Sequence, residues 1–224
     1  MIVLSVTAGC TDITGFLGLD GLFTAHITGN MVILAAHVVD GSGARIAEML
    51  SVPVFVGGVG LTVLLAGGLE SIGVASLCPL LLLQLLLLAG FLVVVVAAGP
   101  RIDSNTTRSI LAGMFGVSAM AVQNALVQIS LKGAPTTAVM TSNVTRFAVD
   151  VGKALLGGNP ADVAKARNRA ARTLPVIIGF AVGRGLGAAC EAALGLWSLA
   201  LPAGLAVLAF ALGLVADPEG RRGS

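Results

Sequence analysis

A series of long apolar runs constrains this chain more than any other feature. Residues 80–98 contain no charged side chain and no alternation of polar and apolar positions. A membrane-spanning helix needs about 20 mostly apolar residues, whereas spanning β-strands alternate lipid-facing and polar positions. The composition agrees, since 56% of the residues are hydrophobic and 11% are charged, against about 25% charged in soluble domains. We therefore predict an all-α, polytopic integral membrane protein.

The number of spans depends on two segments that carry polar residues. Clear candidates for spans are residues 2–19, 50–69, 78–98, 109–131, 174–194 and 197–216. Segments 21–39 and 135–156 are long enough to cross but contain Thr, Asn and other polar residues. They can cross completely, or they can enter the membrane and return to the same side.

The distribution of basic residues favours eight spans. Lys and Arg in short loops concentrate on the cytoplasmic side. If all eight segments cross, Lys132 is the only basic loop residue on the side opposite the others. In the alternative, six spans plus two re-entrant segments, Arg45, Arg101 and Arg108 move away from the basic loop 157–173. We expect eight spans with both termini cytoplasmic.

A polar motif occurs twice. Residues 24–30 read T-A-H-I-T-G-N, and residues 137–143, which lie 113 positions later, read T-A-V-M-T-S-N. A second echo relates residues 55–60 to residues 180–185 at an offset of 125, and the basic insertion accounts for the difference. This pattern predicts two homologous four-segment halves in one membrane domain.

The halves predicted in this way are residues 1–98 and 109–216, with a basic cytoplasmic loop at 157–173 inside the second. Within that loop, Asn159 and Pro160 are good N-cap and first-turn residues for a short helix. Four crossing segments in each half make the halves parallel, whereas three true spans make them inverted.

Two longer motifs are recognisable. Residues 9–16 read G-C-T-D-I-T-G-F and are followed by F-T-A-H-I-T-G-N at 23–30, while A-V-Q-N-A at 121–125 precedes the second copy. This pattern resembles the YoaK-like family of bacterial inner-membrane proteins, which carries a domain of unknown function. The resemblance covers nearly the whole chain and implies a multi-pass protein of the bacterial plasma membrane. Ser142 departs from the first copy, which has Gly29, so a helix break is less expected there.

Polar residues within the predicted spans are the candidates for a site. Counting along the predicted helices puts most of them about 10 Å below the outer surface, in one layer. Asp12 favours a binding role for this layer, because burying an ionisable group within a span costs free energy. For the Thr and Asn residues, the alternative is that they form hydrogen bonds between helices. The predicted substrate-binding residues are Asp12, His26, Thr28, Gly29, Asn30, Gln123, Asn124, Thr141, Asn143, Arg146 and Arg184.

The charged candidates have specific expected roles. Asp12 and His26 are the protonatable groups. Arg146 is four residues from Asp150 and can form a local ion pair. Arg184 either attracts an anion or pairs with Asp12. Gly179, Gly183 and Gly187 lie on one helix face and predict close helix packing.

The sequence favours a transporter over an enzyme. It contains no catalytic motif, and its three cysteines have no metal-ligand spacing, so we expect no enzyme activity, metal or cofactor. The predicted function is a transporter or permease for a small solute or ion that binds between the two repeats, with proton coupling left open. The alternative is a non-transporting accessory or sensor protein with a structural polar layer. The expected partners are the lipid bilayer and that unknown solute or ion, with a homo-oligomer left open and no nucleic acid.

Overall fold

The computed structural model describes residues 1–41, 45–99, 106–137 and 139–216, and no strand occurs in these ranges. Arg101 and Ala138 of the sequence patterns lie outside the described residues. A short 3-10 helix, Gly195–Leu199, joins the last two helices. The α-helices are α1 (Ile2–Gly18), α2 (Ile27–Asp40), α3 (Ile46–Ser71), α4 (Leu77–Ala98), α5 (Thr107–Ser130), α6 (Met140–Leu156), α7 (Pro160–Leu194) and α8 (Ala200–Ala216).

Helix length and composition support a helical membrane protein. Among the described residues, the helices long and apolar enough to cross a membrane are α3, α4, α5 and the run Pro160–Ala216, which contains α7 and α8. The shorter helices α1 and α2 are also apolar. A helix satisfies its own backbone hydrogen bonds, which is the condition for crossing hydrocarbon.

The basic segment is helical from Pro160 onwards. The side chain of Asn159 accepts a hydrogen bond from the Ala161 N–H at 3.0 Å, as expected of the predicted cap. The helix does not end before the apolar segment, however. It continues through Pro175 as one helix, α7, of 35 residues.

The bundle has two ends that differ in charge. At one end, which we call the basic end, Met1, Lys132 and Arg172 line a common cleft. At the other, which we call the far end, the ion pair of Asp20 and Arg45 joins the segments that follow α1 and precede α3, at 2.6 Å. Helix α1 runs from the basic end to the far end, and α7 runs parallel to it.

Helix α2 begins inside the bundle. After α1 ends near Gly18, the chain turns back alongside α1, so that Thr24 contacts Gly15 and the Ala25 N–H bonds to Asp12. Helix α2 then leads outwards again to Arg45, beside Asp20. The segment therefore starts and finishes at the far end.

Helix α6 has the same arrangement at the basic end. The chain turns back after α5, and Thr137 reaches the side chain of Gln123, seven residues before the end of α5. Helix α6 then returns, and its Asp150 pairs with Arg169 of α7 at 2.6 Å.

The structure does not support the expected eight-span arrangement. Segments 21–39 and 135–156 each return to the end from which they entered, so neither runs the length of the bundle. The distribution of Lys and Arg favoured crossing for both segments, and both are long enough to cross. Polar contacts with α1 and α5, which are distant in sequence, decide their path instead.

Candidate functional site

Glycines allow α1 and α7 to pack with their backbones in contact. Gly183 lies against the backbone of Val6, and Gly187 lies against Cys10. Gly9 of α1 faces α7 so closely that a Cβ atom on Gly9 would lie 3.0 Å from the backbone nitrogen of Arg184. The predicted small-residue face of α7 therefore packs on α1, and this contact brings Arg184 to the middle of α1.

Asp12 is the centre of a polar cluster. The side chain is fully buried, and its Oδ1 accepts hydrogen bonds from the N–H groups of Ala25 at 2.8 Å and His26 at 3.1 Å. Its Oδ2 accepts a hydrogen bond from the Arg184 guanidinium. Both carboxylate oxygens are thus satisfied, one by the segment that re-enters the bundle and one by α7.

His26 and Arg184 connect this cluster to the surface. Their side chains are 31% and 37% exposed, and the guanidinium of Arg184 lies 4.7 Å above the ring of Phe180. His26 Nδ1 lies 3.1 Å from Arg184 Nη2 and 3.3 Å from Asp12 Oδ2. An unprotonated Nδ1 can accept a hydrogen bond from Arg184, whereas a protonated Nδ1 can donate one to Asp12.

One nitrogen of Arg184 is left over. Its Nε is buried and has no hydrogen-bond partner within the described part of the chain. A buried donor without a partner is costly. The exposed part of the guanidinium is available to a further group.

Asn30 and Asn143 brace the two segments that re-enter the bundle. Asn30 accepts a hydrogen bond from the Phe23 N–H and donates one to the Phe23 carbonyl, both at 2.8 Å. Asn143 donates one to the carbonyl of Thr136 at 2.7 Å. Each Asn bonds to the residue seven positions earlier, and so closes the turn before its helix. This contact stabilises the fold, and the predicted ligand role of both residues stays a prediction.

Gln123 forms a second, uncharged cluster. It donates to the Leu4 carbonyl at 2.9 Å and to the Thr137 hydroxyl at 2.8 Å, and accepts from Gln84 at 2.6 Å. Asn124 bonds within its own helix, to the Met120 carbonyl. Leu4 precedes Asp12 by eight residues of α1, or about 12 Å along the axis. The polar residues therefore occupy two depths, and the single predicted layer is wrong.

The sequence patterns do not single out Gln84. It is fully buried, and it is the one polar residue in the apolar run 80–98. A lone amide in such a run needs a partner in another helix. That rule is the signal that could have identified it.

The remaining candidates are more exposed. Thr28, Thr141 and Arg146 lie on the surface of the chain, and Gly29 packs against the ring of Phe23, where a Cβ atom would be 2.9 Å from Cδ2. The expected ion pair of Arg146 and Asp150 is wrong. Asp150 instead accepts two hydrogen bonds from Arg169, because a guanidinium on the facing helix can bind both carboxylate oxygens.

Within the described ranges, no group of three or more His, Cys, Asp or Glu side chains could hold a metal ion. The Asp12 cluster offers hydrogen-bond donors and charge: a guanidinium, an imidazole and the first turn of α2. Those groups suit a small polar or anionic partner.

Comparison with known proteins gives the family and no function. No curated protein matches the chain, and no solved structure does. A family model described as a protein of unknown function, DUF1275, matches residues 1–212. The YoaK-like designation has no named relative to test it, and it stays an expectation. Since the match covers nearly the whole length, the chain belongs to the DUF1275 family of proteins of unknown function.

Proposed function

We propose that this protein is a membrane transporter or permease for a small polar solute or ion, built from two inverted halves. One observation carries the proposal: α2 and α6 begin inside the bundle and run out to opposite ends. Transporters commonly bind solutes where such broken helices begin, because the helix N-termini expose N–H groups and positive dipole ends.

Matching contacts in the two segments support the repeat. Helices α2 and α6 begin at Ile27 and Met140, which are 113 residues apart, like the two motifs. The bonds from Asn30 to Phe23 and from Asn143 to Thr136 have the same spacing. Helix α1 and its proposed counterpart α5 run in opposite directions, which implies inverted halves with three spans and one re-entrant segment each.

Charge supports a cytoplasmic location for the basic end. Lys132, Lys153 and the basic half of α7 lie there, whereas Arg45 and Arg108 lie towards the far end. The positive-inside rule then orients the protein in a bacterial plasma membrane. Met1 lies at the basic end, and so does the end of α8, where Gly213 packs on Leu81 and Cys78. Both ends of the described chain are therefore cytoplasmic in this proposal.

The Asp12 cluster is the proposed site of the first half. Solute contacts Thr28, His26 and the exposed guanidinium of Arg184, while Asp12 holds Arg184 and the backbone at residues 25 and 26. Protonation of His26 at Nδ1 transfers its hydrogen bond from Arg184 to Asp12. That exchange frees an Arg184 donor and supplies a route for proton coupling.

Transport can be tested in proteoliposomes containing the purified protein. Small anionic and neutral polar solutes are added one at a time, and charge movement and internal pH are recorded. The wild type is expected to respond to at least one solute, and Arg184→Gln to lose about tenfold or more of the apparent affinity, since it removes a charged donor. Lys165→Gln, which removes an exposed charge outside the cluster, is the matched control. If the folded wild-type protein shows neither charge movement nor a pH change with any anionic or neutral solute, the proposal is contradicted.

A non-transporting accessory or sensor protein is the second candidate. The observation in its favour is that Asp12 is fully buried with both oxygens bonded, which suits a structural role. In that case Asp12→Asn and Arg184→Gln change stability alone, and wild-type proteoliposomes stay silent.

A further inference from the structure

A groove at the basic end lies apart from the Asp12 cluster. It has a volume of about 560 Å³ and runs between α6, the basic half of α7 and residues 133–135. Its rim carries Arg146 and Lys153 of α6 and Arg169 and Arg172 of α7. The groove is much larger than a single ion needs.

Most of the cationic side chains in the groove are not held in salt bridges within the described ranges. Among the described residues, Asp150 is the only carboxylate that lines the groove, and it accepts two hydrogen bonds from Arg169. Arg146, Lys153 and Arg172 form no salt bridge within the described ranges. Cations gathered on the walls of a cleft produce a strong local potential for anions.

The wall beside the first turn of α6 has an unmatched polar atom. Asn143 lines the groove, and its Oδ1 is buried without a hydrogen-bond partner in the described structure. An amide oxygen accepts hydrogen bonds and does not bind an anion directly. The partner that this oxygen lacks is therefore a hydrogen-bond donor, such as a hydroxyl group.

We propose that this groove binds a phosphate ester that carries a neighbouring hydroxyl group. The phosphate contacts Arg146 and Arg172, whose planar guanidinium groups suit two-point binding of phosphate oxygens. The hydroxyl group donates to Asn143. The positive end of α6 is close by and adds to the attraction for the anion. The groove lies beside the basic segment of α7. The ester is either the headgroup of an anionic lipid or a soluble compound. It binds whether or not the Asp12 cluster transports a solute.

The test uses the purified full-length protein in nanodiscs. The soluble probe is glycerol 3-phosphate, added to phosphatidylcholine discs, and its binding is followed by thermal shift. The lipid probe is phosphatidylglycerol, mixed with phosphatidylcholine, and its retention is followed by native mass spectrometry. The groove variant is R146Q/R172Q. The matched control, K165Q/R167Q, removes the same charge from residues of α7 that do not line the groove.

Saturable binding of either probe, weakened about tenfold or more in the groove variant and less than about twofold in the control, supports the site. Binding of glycerol 3-phosphate assigns a soluble source, and selective retention of phosphatidylglycerol alone assigns a lipid source. If neither probe binds, or if the groove and control variants weaken binding equally, the proposal is overturned. Arg146→Gln, a single change at an exposed residue of the groove, replaces the double variant if the latter does not fold.

Discussion

Asp12 joins three parts of the chain through one carboxylate. It bonds to the backbone of the segment before α2, to Arg184 of α7, and lies beside the ring of His26. The sequence identified Asp12 as unusual, because an ionisable group in a span must have a partner. It left two roles open for Arg184, which were binding an anion and pairing with Asp12. It did not identify the two backbone N–H groups, since these come from a turn that only the folded chain forms.

We predict that Asp12→Asn lowers the free energy of unfolding by about 2–4 kcal/mol. The amide keeps one acceptor for the N–H groups of Ala25 and His26, but its NH₂ group faces Arg184 in place of an acceptor. The measurement is chemical unfolding in mixed micelles, followed by helical circular dichroism.

Arg184→Gln and the double variant D12N/R184Q complete a thermodynamic cycle for this pair. Residues in direct contact are not additive, so the double variant is expected to lose less than the sum of the single changes. Additive losses would mean that the ion pair contributes nothing to stability.

The contact between α1 and α7 is the element on which the cluster depends. Gly183 and Gly187 bring the α7 backbone onto α1, and this spacing allows Arg184 to reach Asp12. The small-residue face could be predicted from sequence because its period is that of a helix. Its partner could not, because several apolar helices present similar surfaces.

We predict that Gly183→Ala destabilises the protein by about 1–3 kcal/mol. The added Cβ atom meets the backbone of Val6, which cannot move aside as a flexible side chain can. Gly185→Ala, two residues away on the same helix, has nothing within 4 Å of its added Cβ atom and serves as the control.

Thermal unfolding in detergent compares the two variants. Gly185→Ala is expected to be neutral or slightly stabilising, because alanine favours a helix over glycine. Equal melting temperatures for the two variants would show that α1 and α7 do not pack this closely in solution.

For the whole molecule, the decisive property is the side from which each re-entrant segment enters. Val39, at the end of α2, and Leu156, at the end of α6, are 89% exposed. In the proposed inverted arrangement they lie on opposite sides of the membrane. In the eight-span arrangement both lie on the cytoplasmic side.

We predict that Val39→Cys reacts with a membrane-impermeant thiol reagent from outside the cell and Leu156→Cys only from the cytoplasmic side. Each is placed in a background without Cys10, Cys78 and Cys190. Since the labelled fraction is compared before and after membrane permeabilisation, each variant is its own control. Cytoplasmic labelling of both positions would restore eight spans and remove the main support for inverted halves.

The sequence by itself determined that the chain is an all-α membrane protein, where its long apolar helices lie and how the basic segment begins at Asn159. These properties follow from local energies: transfer of apolar side chains into lipid, helix capping and helical period. Only the tertiary structure decided that the chain turns back before α2 and α6, that Asp150 pairs with Arg169 instead of Arg146, and that Gln84 bonds to Gln123. Those choices depend on which distant polar group satisfies each buried donor or acceptor, and apolar surroundings make that selection decisive.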